Sequence, residues 1–131
     1  MPFSPGRAAG FLLLVANGIG LLGAGVFPCE LECARDAPSA SQLLHDLFGG
    51  LGYFSGVVGL FFLALGLRYL AGWSGLFPLL ATCAVVAALS FVLVSPDFLW
   101  HGAAQRVLET VHIIVMIAMA IRLLQTDETE D

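Results

Sequence analysis

His45, Asp46, His101, Arg106, Glu109 and His112 are residues whose types could do chemistry in this chain. Imidazoles beside carboxylates are what a general acid–base site, or a hard or borderline metal ion, would require. On a helix, Gln105, Glu109, His112 and Met116 fall at i, i+4, i+7 and i+11 and form one stripe. Arg106 lies beside that stripe, within i+3 reach of Glu109. His112 is about 9 Å further along the axis than Arg106. The same groups have two other uses. One is a polar plug, with Arg106 and Glu109 as a structural ion pair and His112 bonded to a neighbouring carbonyl or to Asn17. The other is a proton relay through Glu109 and His112. Distance separates these readings: a site needs His45, Glu109 and His112 around one point, whereas a plug needs each group bonded locally. No nucleophile–base pair, phosphate loop or haem motif accompanies them.

Cys29-Glu30-Leu31-Glu32-Cys33 is the second candidate. On an oxidising face the two cysteines pair; otherwise they stay as thiols or bind a metal with His45 or Asp46. In a regular helix their Cβ atoms would be about 5–6 Å apart, against about 3.5–4.5 Å in a disulfide, so a bridge predicts a turn here. The spacing is not a zinc signature. Neither a metal nor a cofactor is assigned.

The solvent for these groups follows from composition. The chain has 131 residues, 59% hydrophobic and 11% charged, with a mean hydropathy of +0.93. Soluble domains average about 45–50% apolar and about 25% charged, and a chain this small could not hide so much apolar surface from water. Its economical solvent is lipid. Five Arg and no Lys stand against ten acids, four of them in the last five residues. That balance excludes nucleic acid and a polybasic lipid-binding patch.

Four apolar runs of membrane-spanning length position the candidates: about 8–27, 47–70, 76–95 and 103–124. A polar loop, 28–46, separates the first two, and 125–131 is an acidic tail, all within one domain. The first run exceeds the ~7–15 apolar residues of a signal peptide, and Val26-Phe27-Pro28-Cys29 is a poor cleavage site, so a retained helix is expected. Ala16, Gly20 and Ala24 give that helix a small-residue face, with Asn17 one residue off it and pointing into the bundle. Gly52, Gly56, Gly59 and Gly66 make a heptad-like packing seam on the second. Ala81, Ala84 and Ala88 offer a similar face on the third, where Cys83 is an inert buried thiol. Trp73, in the turn Ala71–Gly75, suits the interfacial belt. Ser95-Pro96-Asp97 has the residues of a helix start. Arg7, Arg68 and Arg122 fall on one side and Arg35 and Arg106 on the other. This thin majority puts both termini in the cytoplasm of a multi-pass cell-membrane protein and the Cys-bearing loop outside.

Gly18-Ile19-Gly20 through Gly25-Val26-Phe27-Pro28-Cys29-Glu30, then His45-Asp46 opening the next helix, resembles the DUF998 family of integral membrane proteins. There a glycine-rich helix ends in Phe-Pro followed by an acid, and a His begins the next helix. Gly102-Ala103-Ala104-Gln105-Arg106 is similar to that family's Gly-x-x-Gln-Arg segment. The resemblance implies that Pro28, Glu30, His45, Asp46 and Arg106 occupy the family's characteristic polar positions. Glu30 departs from the usual Asp, and the chain resembles a short member lacking the first helices. Such a chain would leave apolar faces uncovered, which favours self-association or a membrane partner.

The sequence thus predicts an all-α, integral membrane four-helix bundle of unknown activity. It is a structural or accessory unit, or a self-associating one, whose partners are the bilayer and another membrane chain. The alternatives are a metal-binding protein or hydrolase with a His/acid site on the non-cytoplasmic side, and a proton-coupled transporter unit.

Overall fold

The computed structural model describes residues 4–30, 37–95 and 97–127. They form four helices, α1 (Pro5–Val26), α2 (Ala40–Leu67), α3 (Phe77–Leu93) and α4 (His101–Asp127), with a single 3-10 turn, Ser74–Leu76, leading into α3. There is no strand among the described residues. All four helices are long and apolar enough to cross a bilayer, α3 together with its 3-10 lead-in. The fold is an all-α membrane bundle, and its environment is lipid.

Helix boundaries follow local chemistry. Pro5 fills the first turn of α1, where its missing N–H costs nothing. Past the other end, Pro28 leaves no donor to continue. The Phe27 ring stacks on Phe48, with centroids 5.8 Å apart. The start of α2 differs from the expected Leu47. Ser39 caps it, accepting from the Gln42 N–H at 3.2 Å, so the polar stretch from Ala40 to Asp46 is helical rather than loop. At 28 residues, α2 is about 42 Å long against a ~30 Å hydrocarbon core, which leaves its first turns free to stand at the interface. α4 also differs, starting at His101 and not at Ser95. Before it come two turns, Phe98 N–H to Ser95 O and His101 N–H to Phe98 O. Pro96 lies outside the described residues. The helix continues to Asp127, beyond the expected end at Leu124.

Packing is sequential: α1 lies along α2, α2 on α3, and α3 on α4. The α1–α2 contact is the tightest. A Cβ placed on Gly20 would come within 2.4 Å of Gly52 Cα, and one on Gly66 within 3.2 Å of the Arg7 backbone nitrogen. Gly59 likewise meets Gly10 O and Leu13 Cβ at 3.1 Å. The two helices are therefore antiparallel and touch through backbone along the glycine seam. The α1 face agrees with expectation in part. Gly20 is buried against Gly52, Ala24 lies beside Gly49, and Asn17 points inward as expected, whereas Ala16 is exposed and Gly10 is buried in addition. On α3 the buried stripe is Leu80, Cys83, Ala84, Ala87 and Ser90, and Cys83 is a free thiol. Leu60, Leu63, Leu108 and Val115 complete the fully buried centre.

The turn after α2 uses Gly72 at φ 77°, a left-handed conformation in which a Cβ would be strained. Arg122 Nε donates to Gly72 O and ties the end of α4 to this turn. Trp73, expected to face the interface, is turned inward instead. It is buried in the core, and its indole N–H has no partner among the described residues.

Candidate functional site

The loop-side end of the bundle encloses a cavity of about 800 Å³ with walls from all four helices. It has a polar mouth and a polar floor. At the mouth, His45 Nδ1 lies 2.9 Å from both Ala24 O and Phe27 O. Carbonyls only accept, so Nδ1 carries the hydrogen and shares it between two carbonyls left over at the end of α1. One turn earlier, Gln42 is almost fully buried. Its Oε1 accepts from the Glu30 N–H at 3.0 Å and its Nε2 donates to Asp46 Oδ1 at 3.1 Å. Ser41 Oγ donates to Pro28 O. Together these bonds pin the segment after α1 to the first turns of α2.

The floor is a three-residue network. The Tyr53 hydroxyl donates to Glu109 Oε1 at 2.5 Å, while Gln105 Nε2 lies 2.9 Å from the Tyr53 oxygen and 3.2 Å from Glu109 Oε1. A buried phenol needs a partner for its O–H, and a carboxylate away from water needs donors. Each supplies the other.

The expected cluster is thereby divided. His45, Asp46, His101 and Glu109 line this cavity. His101 is exposed, with Nδ1 donating to Phe98 O at 2.9 Å. The Glu30 side chain is exposed and takes part through its backbone. Arg106 is also exposed and does not line the cavity, and Glu109 bonds Tyr53 and Gln105 in place of the expected ion pair. Arg106 and His45 nevertheless belong to the same end of the bundle, since Gln105, the residue before Arg106, shares the cavity wall with His45. Cys29 is disulfide-bonded; the pairing expected of it, with Cys33, lies outside the described residues. Among the described residues no three His, Cys, Asp or Glu groups are placed to hold a metal ion.

His112 belongs to a second cavity of about 430 Å³, between α1 and α4, which shares Leu21, Tyr53 and Glu109 with the first. His112 Nδ1 donates to Leu108 O at 2.7 Å, one turn back. That bond fixes the tautomer and leaves Nε2 as an acceptor. Nε2 is buried and has no partner among the described residues. Asn17 Nδ2 donates to Gly52 O at 2.9 Å. A Cβ on Gly56 would lie 2.4 Å from His112 Nε2 and 2.7 Å from Asn17 Nδ2. Gly56, counted in the packing seam by its spacing, makes room for these two polar groups.

Sequence reasoning missed Gln42 and Tyr53. Ser39-Ala40-Ser41-Gln42 carries the S-x-x-Q pattern of a helix start, and that signal would have placed Gln42 and His45 on the helix. Tyr53, a phenol within an apolar span, should prompt a search for its acceptor.

Comparison with curated proteins and with solved structures finds no match. The family model described as "Protein of unknown function (DUF998)" matches residues 3–122, which include every wall of both cavities, and the chain belongs to that family of multi-pass membrane proteins.

Proposed function

We propose that the chain is a non-catalytic accessory bundle that admits a polar group from one membrane face into the loop-side cavity. The supporting observation is the cavity itself. Its volume of about 800 Å³ falls within the ~300–1,000 Å³ of small-molecule sites, and its floor is the Tyr53–Glu109–Gln105 network. Most lining polar groups are held by one another or by backbone, which suits recognition better than proton transfer. A metal-dependent hydrolase is disfavoured by the scatter of the described carboxylates and imidazoles. In a proton relay His112 would exchange through both nitrogens, yet Nδ1 is engaged by Leu108 O.

The end carrying Arg7, Arg68 and Arg122 is assigned to the cytoplasm by the arginine count, so the cavity opens away from it. A disulfide at Cys29 suits an oxidising compartment on the cavity side.

Gly50 lines the cavity, and a Cβ there meets nothing within 4 Å. Gly50→Phe should therefore fill the space without disturbing the helices. Native mass spectrometry of the detergent-purified protein should show a small-molecule or lipid adduct on the wild type that Gly50→Phe loses at unchanged thermal midpoint. An identical adduct pattern in both proteins would sink the reading.

A further inference from the structure

We propose that the acidic segment 128–131 is the counter-ion of the bundle's arginine end. It doubles back from α4 onto Arg7, Arg68 and Arg122 and clasps α4 to the ends of α1 and α2. The contact lies at the end opposite the loop-side cavity, so it stands or falls independently of the reading above.

Three guanidinium-bearing residues converge on one short stretch of chain. A Cβ on Gly66 would lie 2.7 Å from Arg7 Cγ. Arg68 follows two residues later as the C-cap of α2. Arg122 Nε donates to Gly72 O. The stretch from Gly66 to Gly72 thus meets Arg7 at one end, carries Arg68 within it and holds Arg122 at the other. Arg68 lies 4.2 Å over the ring of Tyr69, and Arg122 Nη1 donates to Gln125 Oε1 at 3.2 Å. Both contacts fix a side chain without cancelling its charge.

Acids are segregated to the other end. Glu30, Asp46 and Glu109 belong to the cavity and its mouth. Asp97 lies between Ser95 and His101, which line the same cavity. Glu32 and Asp36 fall in the chain between α1 and α2. Among the described side chains, none at the arginine end is acidic. Helix ends do not settle the balance, because the C-termini of α2 and α4 oppose the N-termini of α1 and α3 there. Like charges gathered at a membrane surface repel one another. The acids that remain are those that close the sequence, with Glu128, Glu130 and Asp131 beyond the helix, three carboxylates for three guanidiniums.

Reach and tethering favour this segment over a free anion. Asp127 ends α4 about 7.5 Å along the axis beyond Arg122. The four residues that follow span at most about 14 Å, enough to return past Arg122 to the end of α2. A short tether of this kind sets an effective concentration in the millimolar range. The clasp joins α4 to α1 at one end, although the two helices stay apart along the groove. Exposed ion pairs are individually weak and screened by salt, so the clasp is a latch that opens as ionic strength rises.

The chain has no lysine, so Arg68→Lys places a lone side-chain amine beside the proposed contact and keeps the charge. The full-length variant in dodecyl maltoside is treated with a water-soluble carbodiimide, which joins a carboxylate to an amine it touches with loss of water. Cross-linked peptides are read by mass spectrometry. At low ionic strength the amine at position 68 should be joined to Glu128, Glu130 or Asp131. The yield should fall at least ~5-fold in ~1 M salt, where the Debye length is about 3 Å. Capping of the same acids by added glycine ethyl ester shows that the reagent reaches them. With that control met, no cross-link overturns the proposal, and so does a yield that ignores salt. Lipid phosphate is the rival counter-ion. Retained phosphatidylglycerol is therefore counted by native mass spectrometry on the wild type and on the triple variant Glu128→Gln, Glu130→Gln, Asp131→Asn, which leaves every helix intact. Removing the clasp should bare the guanidiniums and raise retention several-fold. Equal retention in the two proteins overturns the proposal.

Discussion

α1 has two flanks that behave in opposite ways. Against α2 it closes to backbone contact, with Gly20 on Gly52 and Gly10 on Gly59. Towards α4 it stays apart, and the gap is a cavity. Glycine occurs on both flanks. Gly18 and Gly25 are as small as Gly10 and Gly20, yet a Cβ on either meets nothing within 4 Å. In lipid no hydrophobic force drives helices together, and association depends on how well two surfaces interlock. Small residues close a crossing only where the partner presents small residues in matching register. On α2, Gly52, Gly59 and Gly66 provide that register for Gly20, Gly10 and Arg7. α4 offers Ile113, Met116 and Ile117 instead, and the groove stays open.

The sharpest way to break this comparison is to put one side chain on each flank. Gly20→Val drives a Cβ into the Gly52 backbone, which cannot give way as a flexible side chain would. Overpacking costs about 1–3 kcal/mol, occasionally more, and this contact belongs at or above the upper end. A thermal scan in detergent should show a large drop in midpoint, or no folded protein. Gly18→Val, two residues along the same helix, should leave the midpoint within error. Equal damage from both substitutions would mean that the two flanks do not differ.

The closed flank was largely legible in the sequence and the open one was not. Gly52, Gly59 and Gly66 announce a seam by spacing alone, because a glycine-rich helix in lipid has few other uses. The face of α1 that meets it was harder to place. The inward position of Asn17 was legible, since a polar group in lipid needs a partner, but the spacing of Ala16, Gly20 and Ala24 gave no sign that Ala16 is exposed and Gly10 buried in its stead. The open flank depends on a distance between helices far apart in sequence, which no local pattern encodes. The site suffered for the same reason. Glu109 has Arg106 within reach along its own helix, so a pairing rule selects Arg106. Its bonded phenol comes from Tyr53, on another helix, and the cost of leaving that hydroxyl unpartnered favours this choice. Trp73 shows the converse, an aromatic residue of interfacial type that the turn carries into the core.

Tyr53→Phe tests the floor that both cavities share, with a smaller effect expected. The ring remains and only the O–H to Glu109 is lost. Hydrogen bonds to charged groups contribute about 1.5–3 kcal/mol, but Gln105 Nε2 is still within reach of the same carboxylate oxygen, so the low end of that range is expected. A loss of this size in the denaturant midpoint, with the particle size unchanged, would place the network among the elements that hold α2 against α4. No loss would mean that Glu109 is adequately served by Gln105 alone, leaving the phenol free to meet a ligand.

The smallest effect belongs to Asn17→Ala, although Asn17 is the most polar group at the centre of the closed flank. Its amide donates to Gly52 O, a carbonyl that also accepts from Ser55 Oγ at 2.8 Å. Removing the amide therefore leaves no acceptor empty. Hydrogen bonds between membrane helices average only about 0.6 kcal/mol in double-mutant cycles, and the backbone contact of Gly20 on Gly52 survives the substitution. A drop of that order is expected, well below that of Gly20→Val. Should Asn17→Ala instead destabilise as much as Gly20→Val, close packing would no longer explain the α1–α2 crossing. A polar peg between Asn17 and Gly52 would then hold the helices together, and the glycines would serve chiefly to let that peg and the His112 ring approach.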